Sequence, residues 1–278
     1  MLPAALDRDR IDTRPTEYLA SRGDIFAEYG AATQDSGNIS YGVQLDGERF
    51  FVKTAGRVDD PVPPLGHGDR VELLRNAVRL AASSAHPALP RLHRVIESPD
   101  GPLLVYDWFD GELLHVPSAQ RADPSKVFQR FRRLPVDAIE ACLDAIFDVH
   151  AELTRAGWIA VDFYDGCLMY DFRSRALRIV DLDMYRRGPF RNEMGRMWGS
   201  TRFMAPEEHQ LGALIDARTT VFTMGRTAFV LLGAPEAFRG SPRHLEVATR
   251  ACQPDRSARY DSVAAFAAAW RGDVRAAS

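Results

Sequence analysis

Lysine is scarce in this chain: only Lys53 and Lys126 occur among its 35 basic residues, and the others are arginine. In a chain that otherwise uses arginine, a lysine indicates a position where an arginine side chain would not fulfil the same role. Lys53 ends the apolar run of residues 50–52, which follows the turn pair Asp46-Gly47. A compact ammonium at the end of an apolar strand suits the binding of phosphate groups, and the planar fork of arginine would sit differently there. The alternative is a surface lysine on a strand edge.

Three aspartates in the second half of the chain have the right chemistry to accompany bound phosphate. Asp162 lies in a short β-like segment, residues 158–163, and Asp181 and Asp183 lie at the end of a second one near residues 177–182. Residues two apart on a strand face the same side, so Asp181 and Asp183 are expected at one cation site. Carboxylate oxygens are the ligands that Mg²⁺ prefers. The alternative for all three is a turn-forming aspartate.

The composition limits the classes of protein to which the chain can belong. With 278 residues, 46% of them hydrophobic, it can bury the core of one large domain or of two lobes. A formal net charge of −3 predicts no nucleic-acid partner. No apolar run approaches the about 18 residues of a membrane span, and residues 1–14 lack the apolar core of a signal peptide. Since the three cysteines are scattered, we expect a cytoplasmic protein with no membrane partner.

The elements before residue 107 are predicted to be mostly strands. Apolar and polar residues alternate before Lys53, and the Asp46-Gly47 pair between two such runs is a strong hairpin signal. Residues 70–84 have apolar side chains at helical spacing after Asp69, which we expect to cap that helix. Two further strands are expected at residues 89–95 and 102–108.

The rest of the chain is predicted to be mainly helical, after a break near residues 107–111. Long helices are expected at residues 135–155, 220–232 and 262–270. The fold class is therefore α+β, with a β-rich N-terminal lobe that holds one main helix and an α-rich C-terminal lobe. We place the N-terminal lobe at residues 1–106, with an N-terminal extension to about residue 24, and the C-terminal lobe at residues 107–278.

The segment 199–207, with the sequence GSTRFMAPE, resembles the G-T-x-x-Y-M-A-P-E segment of Ser/Thr protein kinases. Together with Lys53, Asp162 and Asp181 in that order, it makes the chain resemble a protein-kinase-fold phosphotransferase, most like a bacterial Ser/Thr protein kinase. The resemblance extends over nearly the whole chain and implies a bilobal, protein-kinase-like fold. It also implies that Glu207 forms a buried structural ion pair with Arg259.

This resemblance implies ATP and Mg²⁺ as cofactors, and transfer of the γ-phosphate to a hydroxyl group of a protein or a small molecule. Asp162 would orient the acceptor hydroxyl and take its proton. Asp181 would bind Mg²⁺ with help from Asp183, and Lys53 would hold the α- and β-phosphates. The other residues expected at the nucleotide are Ser36 and Gly37 in the phosphate loop, Glu72 as the partner of Lys53, and Asp107 at the hinge.

Two positions depart from the family pattern and leave alternatives open. Glu72 lies about one helical turn earlier than the resemblance requires, so it is either the partner of Lys53 or an exposed helix charge. Cys167 stands where the family has the asparagine that binds a second metal ion, and a thiol is a poor ligand for Mg²⁺. Asp183 or Asp165 would then have to supply the missing oxygen.

Three functions therefore stay open, with a Ser/Thr-protein-kinase-like phosphotransferase leading. The D-x-D spacing, and Tyr164 in place of the family's lysine, resemble small-molecule kinases of the aminoglycoside phosphotransferase type, which act on antibiotics or metabolites. The third reading is a nucleotide-binding pseudokinase. It is favoured by Cys167 and by Ala160 and Val161, which replace the usual histidine and arginine.

Overall fold

The structure, a computed structural model, describes residues 2–30, 37–59 and 65–273. Within these residues the chain contains a five-stranded antiparallel sheet and seven α-helices, which confirms the predicted α+β class. The chain divides into two compact units. Unit 1 comprises Met1–Ala85 and Pro90–Asp110, and unit 2 comprises His86–Leu89 and Gly111–Ser278.

Unit 1 is built on the five-stranded sheet. Its elements in chain order are α1 (Pro15–Arg22), β1 (Asp24–Tyr29), β2 (Ile39–Leu45), β3 (Glu48–Thr54), α2 (His67–Ala81), β4 (Leu92–Ile96) and β5 (Leu103–Asp107). The strand order is β1-β2-β3-β5-β4, so β3 lies in the middle of the sheet. Both residues of the turn between β2 and β3 are left-handed, with φ of 51° at Asp46 and 84° at Gly47. The predicted hairpin is thereby confirmed.

Helix α2 begins earlier than the sequence pattern predicts, at His67. Gly66 is the extended residue before it, and the N–H of Arg70 donates to the Gly66 carbonyl at 3.0 Å. The prediction that Asp69 caps this helix was therefore wrong. Asp69 instead lies in the first turn, where a negative charge favours the positive end of the helix dipole. The inner face of α2 packs against Leu104 of β5.

The N-terminal extension is folded onto the sheet, which the sequence did not predict. Tyr18 and Leu19 of α1 are buried in one core cluster with Leu103 and Val105 of β5. Leu104, between them, belongs to the separate cluster under α2. Since successive side chains of a strand point to opposite faces, α1 and α2 cover the two faces of the sheet.

Unit 2 is mainly helical. Its elements in chain order are β6 (Glu112–Leu113), α3 (Val127–Arg132), α4 (Val136–Arg155), β7 (Trp158–Ile159), β8 (Leu168–Asp171), β9 (Ala176–Ile179), β10 (Arg186–Arg187), β11 (Phe190–Arg191), β12 (Leu214–Ile215), α5 (Ala217–Leu232), α6 (Pro242–Ala251) and α7 (Val263–Arg271). The strands pair as β6-β8-β9, β10-β7 and β11-β12. Over the described part of both units, every helix is too short or too polar to cross a membrane.

Helix α4 confirms the long helix predicted at residues 135–155 and forms the centre of unit 2. Phe147 of α4 makes edge contacts with the rings of Phe266 and Trp270 of α7, at centroid distances of 4.7 and 5.3 Å. Such pairs add about 0.5–1.5 kcal/mol each beyond the burial of their area. They fix the two helices against each other.

Helix α5 begins at Ala217, although the sequence pattern predicts a start near residue 220. Asp216 caps it: the carboxylate of Asp216 accepts a hydrogen bond from the N–H of Arg218 at 2.9 Å. The N–H of Asp216 donates in return to Thr219 Oγ1 at 3.3 Å. This reciprocal cap adds a helical turn before the apolar run, which is why the apolar run alone set the start too late.

Candidate functional site

Lys53 lies near the end of the central strand β3 and is buried, with 7% of its surface exposed. Its backbone pairs with Ser40 of β2 on one side and with Leu104 of β5 on the other. The alternative of a surface lysine on a strand edge is therefore excluded. A buried ammonium needs anionic or polar partners, since its desolvation is costly without them.

Gly37, in the predicted phosphate loop, has a left-handed backbone with φ of 82°. Its carbonyl accepts a hydrogen bond from Arg70 Nη1 at 2.6 Å, and Arg70 Nη2 donates to the carbonyl of Arg57 at 3.1 Å. Arg70 is only 2% exposed, so helix α2 holds Gly37 through a buried guanidinium that sequence reasoning missed. Ser36, the other predicted loop residue, lies outside the described residues.

Glu72 lies on the exposed face of α2, with 64% of its side chain accessible, and its carboxylate pairs with Arg79 at 2.5 Å. The buried face of the helix runs through Arg70, Leu74 and Ala77, and residue 72 points away from it. The expectation that Glu72 pairs with Lys53 is therefore corrected to the alternative, an exposed helix charge.

Asp107 is the last residue of β5, and its side chain is 52% exposed. Its carboxylate is 2.5 Å from Nε2 of His93 in the neighbouring strand β4. The residues that follow stay with unit 1, because Trp108 Nε1 and Arg49 Nη2 both donate to Asp110. Asp107 thus has a partner within its own sheet, and its role at the nucleotide stays a prediction.

Asp162 and Asp181, in unit 2, share an unusual backbone conformation. Their φ values are 60° and 59°, and the other left-handed non-glycine residues within the described part of the chain are Asp46 and Arg175, both in hairpin turns. Left-handed backbone costs an ordinary residue about 1–2 kcal/mol, and aspartate tolerates it better than most. Such conformations concentrate at functional sites, where the surrounding structure compensates for the strain.

Cys167 joins the loops of these two aspartates. Its Sγ–H donates to the carbonyl of Asp162 at 3.4 Å and lies 3.9 Å from the carbonyl of Asp181. Its own carbonyl accepts from the N–H of Val180 at 2.8 Å. Burial, followed by the nearby charge of Asp181, raises the pKa of this thiol well above its usual value. Cys167 therefore stays protonated and acts as a positioning group; a metal ligand would have to be a thiolate.

Asp181 and Asp183 do not lie on a strand, because β9 ends at Ile179. Alternation along a strand therefore cannot place their carboxylates on one side, and that part of the prediction was wrong. Asp181 is exposed, whereas Asp183 is 7% exposed. Across the described ranges no group of three or more His, Cys, Asp or Glu residues could hold a metal ion. Mg²⁺ commonly takes one or two carboxylates and completes its shell with water and substrate phosphates, so each of these aspartates has the donor chemistry that it requires.

The predicted ion pair between Glu207 and Arg259 is confirmed. Arg259 Nη1 and Nη2 donate to the two carboxylate oxygens of Glu207 at 2.7 and 3.0 Å, and both residues are buried. Thr219 Oγ1 of α5 donates to the same carboxylate at 2.9 Å. Burial alone would raise the pKa of Glu207, but these hydrogen bonds and the charge of Arg259 hold it below its usual value.

Helix α5 and the segment before Glu207 also fix the surroundings of Asp162. Thr220 Oγ1 accepts a hydrogen bond from the N–H of Ala160 at 3.1 Å. A Cβ built on Gly199, whose φ is 132°, would lie 3.6 Å from Asp162 Oδ1 and 3.4 Å from Met204. The chain thus passes beside the carboxylate of Asp162 at van der Waals distance, and the φ of Gly199 is what requires a glycine there.

Asp165 forms a polar cluster that sequence reasoning missed. Its side chain is fully buried, and its two oxygens lie 3.1 Å from His115 Nδ1 and 2.5 Å from Arg202 Nη2. The ring of Tyr164 stands edge-on to His115 at a centroid distance of 5.5 Å. Because its carboxylate is fully buried and already paired with Arg202, the structure does not favour Asp165 as the replacement metal ligand that the sequence allowed. The only signal in the sequence was its position, three residues after Asp162.

No protein-family model and no curated protein matches this chain. The resemblance to protein kinases therefore stays a prediction.

Proposed function

We propose that this chain is an ATP- and Mg²⁺-dependent phosphotransferase with a protein-kinase-like fold, which transfers the γ-phosphate to a hydroxyl acceptor and is most like a Ser/Thr protein kinase. The observation that carries the proposal is the joining of the Asp162 and Asp181 loops by Cys167. Two left-handed aspartates held by one buried side chain are what positioned acid–base and cation-binding groups require.

Each residue has a role that follows from its chemistry. Asp162 orients the acceptor hydroxyl and takes its proton. Asp181 and Asp183 supply the oxygen donors for Mg²⁺, which would neutralise charge on the phosphates. In unit 1, the buried ammonium of Lys53 holds phosphate oxygens, and the Gly37 backbone lies over them.

The proposal is tested by measuring ATP turnover with the wild type, Asp181→Asn and Asp46→Asn. Asp46 is the matched control, because it is also a left-handed aspartate but lies exposed in a hairpin turn. We expect Asp181→Asn to lose turnover by at least about a hundredfold, as for other groups that act on the transition-state charge, and Asp46→Asn to keep it. Equal rates in all three proteins would refute the proposal. Mass spectrometry after incubation with Mg-ATP would show whether Ser200 or Thr201 accepts phosphate.

A second candidate is a nucleotide-binding protein without transfer, and the buried, protonated thiol of Cys167 favours it. It predicts thermal stabilisation by Mg-ATP with no phosphate transfer. At a nucleotide concentration of a hundred times Kd, that stabilisation is about 2.7 kcal/mol. This candidate is supported if Mg-ATP stabilises the wild type without any turnover, and if Lys53→Met abolishes that stabilisation.

A further inference from the structure

Glu208 is a buried carboxyl group that the proposed function does not use. It is 3% exposed and follows directly after Glu207, but its surroundings differ. Glu207 is paired with Arg259, whereas the carboxyl of Glu208 accepts one hydrogen bond, from the N–H of Ala205 at 2.6 Å. Within residues 2–30, 37–59 and 65–273, no arginine, lysine or histidine forms an ion pair with it.

Glu208 shares a cavity with Asp162. The void is about the size of a single water molecule, and its polar lining includes Asp162, Glu208 and Thr223. The charged groups that act on Glu208 are Glu207, Asp162 and Arg259. Arg259 is already engaged by Glu207, so Glu208 faces two carboxylates and no cation of its own. Ionising a second carboxyl in such a site is unfavourable.

The backbone holds Glu208 in this position. Its carbonyl accepts from the N–H of Met197 at 2.9 Å and from Asn192 Nδ2 at 3.2 Å. Because its N–H donates to the carbonyl of Ala205, both polar groups of its peptide are engaged. The side chain is tied to the preceding segment by its hydrogen bond from the N–H of Ala205, and it lines the cavity together with Gly199, Phe203 and Met204.

We propose that Glu208 is a positioning residue for Asp162: it remains a neutral carboxylic acid that fills the floor of the shared cavity, and so keeps the segment 199–206 packed beside the catalytic loop. Burial raises the pKa of Glu208 to about 8, the N–H of Ala205 opposes the shift, and the charges of Glu207 and Asp162 add to it. Below that pH the cavity holds one carboxylate, and above it the two carboxylates repel each other. The consequence for catalysis rests on the proposed function, but the protonation of Glu208 does not.

The first test compares the unfolding of the wild type, Glu208→Gln and Glu207→Gln as a function of pH. The pKa of Glu208 rises from 4.5 to about 8 on folding, so the folded state binds the proton more tightly and loses stability as pH rises through this window. Since glutamine does not titrate, the stability of Glu208→Gln should lack this pH dependence. We expect the ratio of the unfolding constants of wild type and Glu208→Gln to rise about tenfold per pH unit in the window, and then to level off. Glu207→Gln, the matched control, keeps Glu208, so it should destabilise the protein while its unfolding keeps the pH slope of the wild type. A Glu208→Gln profile parallel to that of the wild type would overturn the proposal.

The second test measures the coupling to Asp162 directly, by the ¹³C shift of its carboxyl carbon, assigned with Asp162→Asn. In the wild type we expect a step in this signal near pH 8, where Glu208 ionises, and Glu208→Gln should abolish it. A signal without that step in the wild type would overturn the positioning role. Neither test uses ATP, so failure here is distinguishable from failure of the phosphotransferase proposal. If turnover is observed, kcat of the wild type should fall above pH 8 with KM for ATP unchanged, and that of Glu208→Gln should not.

Discussion

Replacing Arg259 by methionine would remove the guanidinium that pairs directly with Glu207 in the interior of unit 2, and would leave Arg256, whose Nε lies 3.7 Å from that carboxylate. The guanidinium makes two hydrogen bonds to that carboxylate, at 2.7 and 3.0 Å. It also donates to three backbone carbonyls, those of Gln253 at 2.7 Å, Arg218 at 3.1 Å and Pro254 at 3.2 Å. Each of these acceptors would lose a donor, and the Glu207 carboxylate would do so in a buried position.

The size of the effect follows from these contacts. Breaking a buried ion pair by removing one partner costs about 3–5 kcal/mol, because the remaining charge is uncompensated. Methionine keeps much of the apolar volume of arginine, so we expect the free energy of unfolding to fall by about 4 kcal/mol, near the middle of that range. Adding Glu207→Gln to Arg259→Met should recover part of the loss, since the variant then buries no unpaired charge.

The pH dependence gives this prediction a second signature. The folded-state pKa of Glu207 is lowered, so its pairing contributes stability above the usual value of 4.5, and this contribution is lost as pH falls through the folded pKa. The difference in unfolding free energy between wild type and Arg259→Met should therefore be largest near neutral pH and become smaller in acid.

Urea unfolding followed by tryptophan fluorescence would measure these free energies. The control is Arg250→Met, on the exposed face of α6, where the guanidinium lies over the ring of Tyr260 at 4.2 Å. We expect it to cost less than about 1 kcal/mol, as for other surface cation–π contacts. The reasoning is refuted if Arg259→Met costs no more than Arg250→Met, or if its cost is independent of pH.

Three further predictions concern the buried polar groups. Arg70→Met should lower the free energy of unfolding by about 1–3 kcal/mol, because it removes the donor of the buried Gly37 carbonyl, and should speed amide exchange around Gly37; the exposed Arg79→Met should do neither. Cys167 should resist a thiol reagent until the protein unfolds, since its side chain is buried and its thiol pKa is raised; rapid labelling of the native protein would contradict this. Asp165→Asn should lower the free energy of unfolding in urea by about 3–5 kcal/mol, because it leaves Arg202 without its carboxylate. An unchanged free energy of unfolding would show that the pair does not stabilise the protein.

The sequence predicted those elements that are determined by a few neighbouring residues, such as a tight turn or the first turn of a helix. The Asp46-Gly47 turn needs two left-handed residues in succession, and few other pairs supply them. Helix α7 begins directly after Ser262, whose side chain accepts from the N–H of Ala265, within one residue of the predicted start. Helices α1, α3 and α6 were missed, although α6 has a local start signal: Ser241 accepts from the N–H of His244, and Pro242 is the first helical residue.

The positions of site residues that the sequence did not predict depend on contacts with residues distant along the chain. Glu72 was placed by its distance from the following loop, whereas the face of α2 that turns inward is set by packing on the sheet. Asp165 meets His115 and Arg202, which lie 50 and 37 residues away along the chain, and no spacing rule connects the three. The ion pair of Glu207 was predictable only because the family resemblance specified its distant partner.

Under the proposed function, Cys167 supplies one of two properties expected at its position: it positions the two aspartate loops but gives no oxygen ligand. The thiol still joins the carbonyls of Asp162 and Asp181, so the geometry of both loops can persist without an oxygen ligand at this position. Two substitutions therefore report on different properties. Cys167→Ala removes the thiol that lies between the two carbonyls and should loosen both aspartates, whereas Cys167→Asn can keep a donor and adds an oxygen. A rise in ATP turnover for Cys167→Asn alone would mean that the missing ligand limits the natural protein; a loss in both would mean that the buried thiol itself fits the site best.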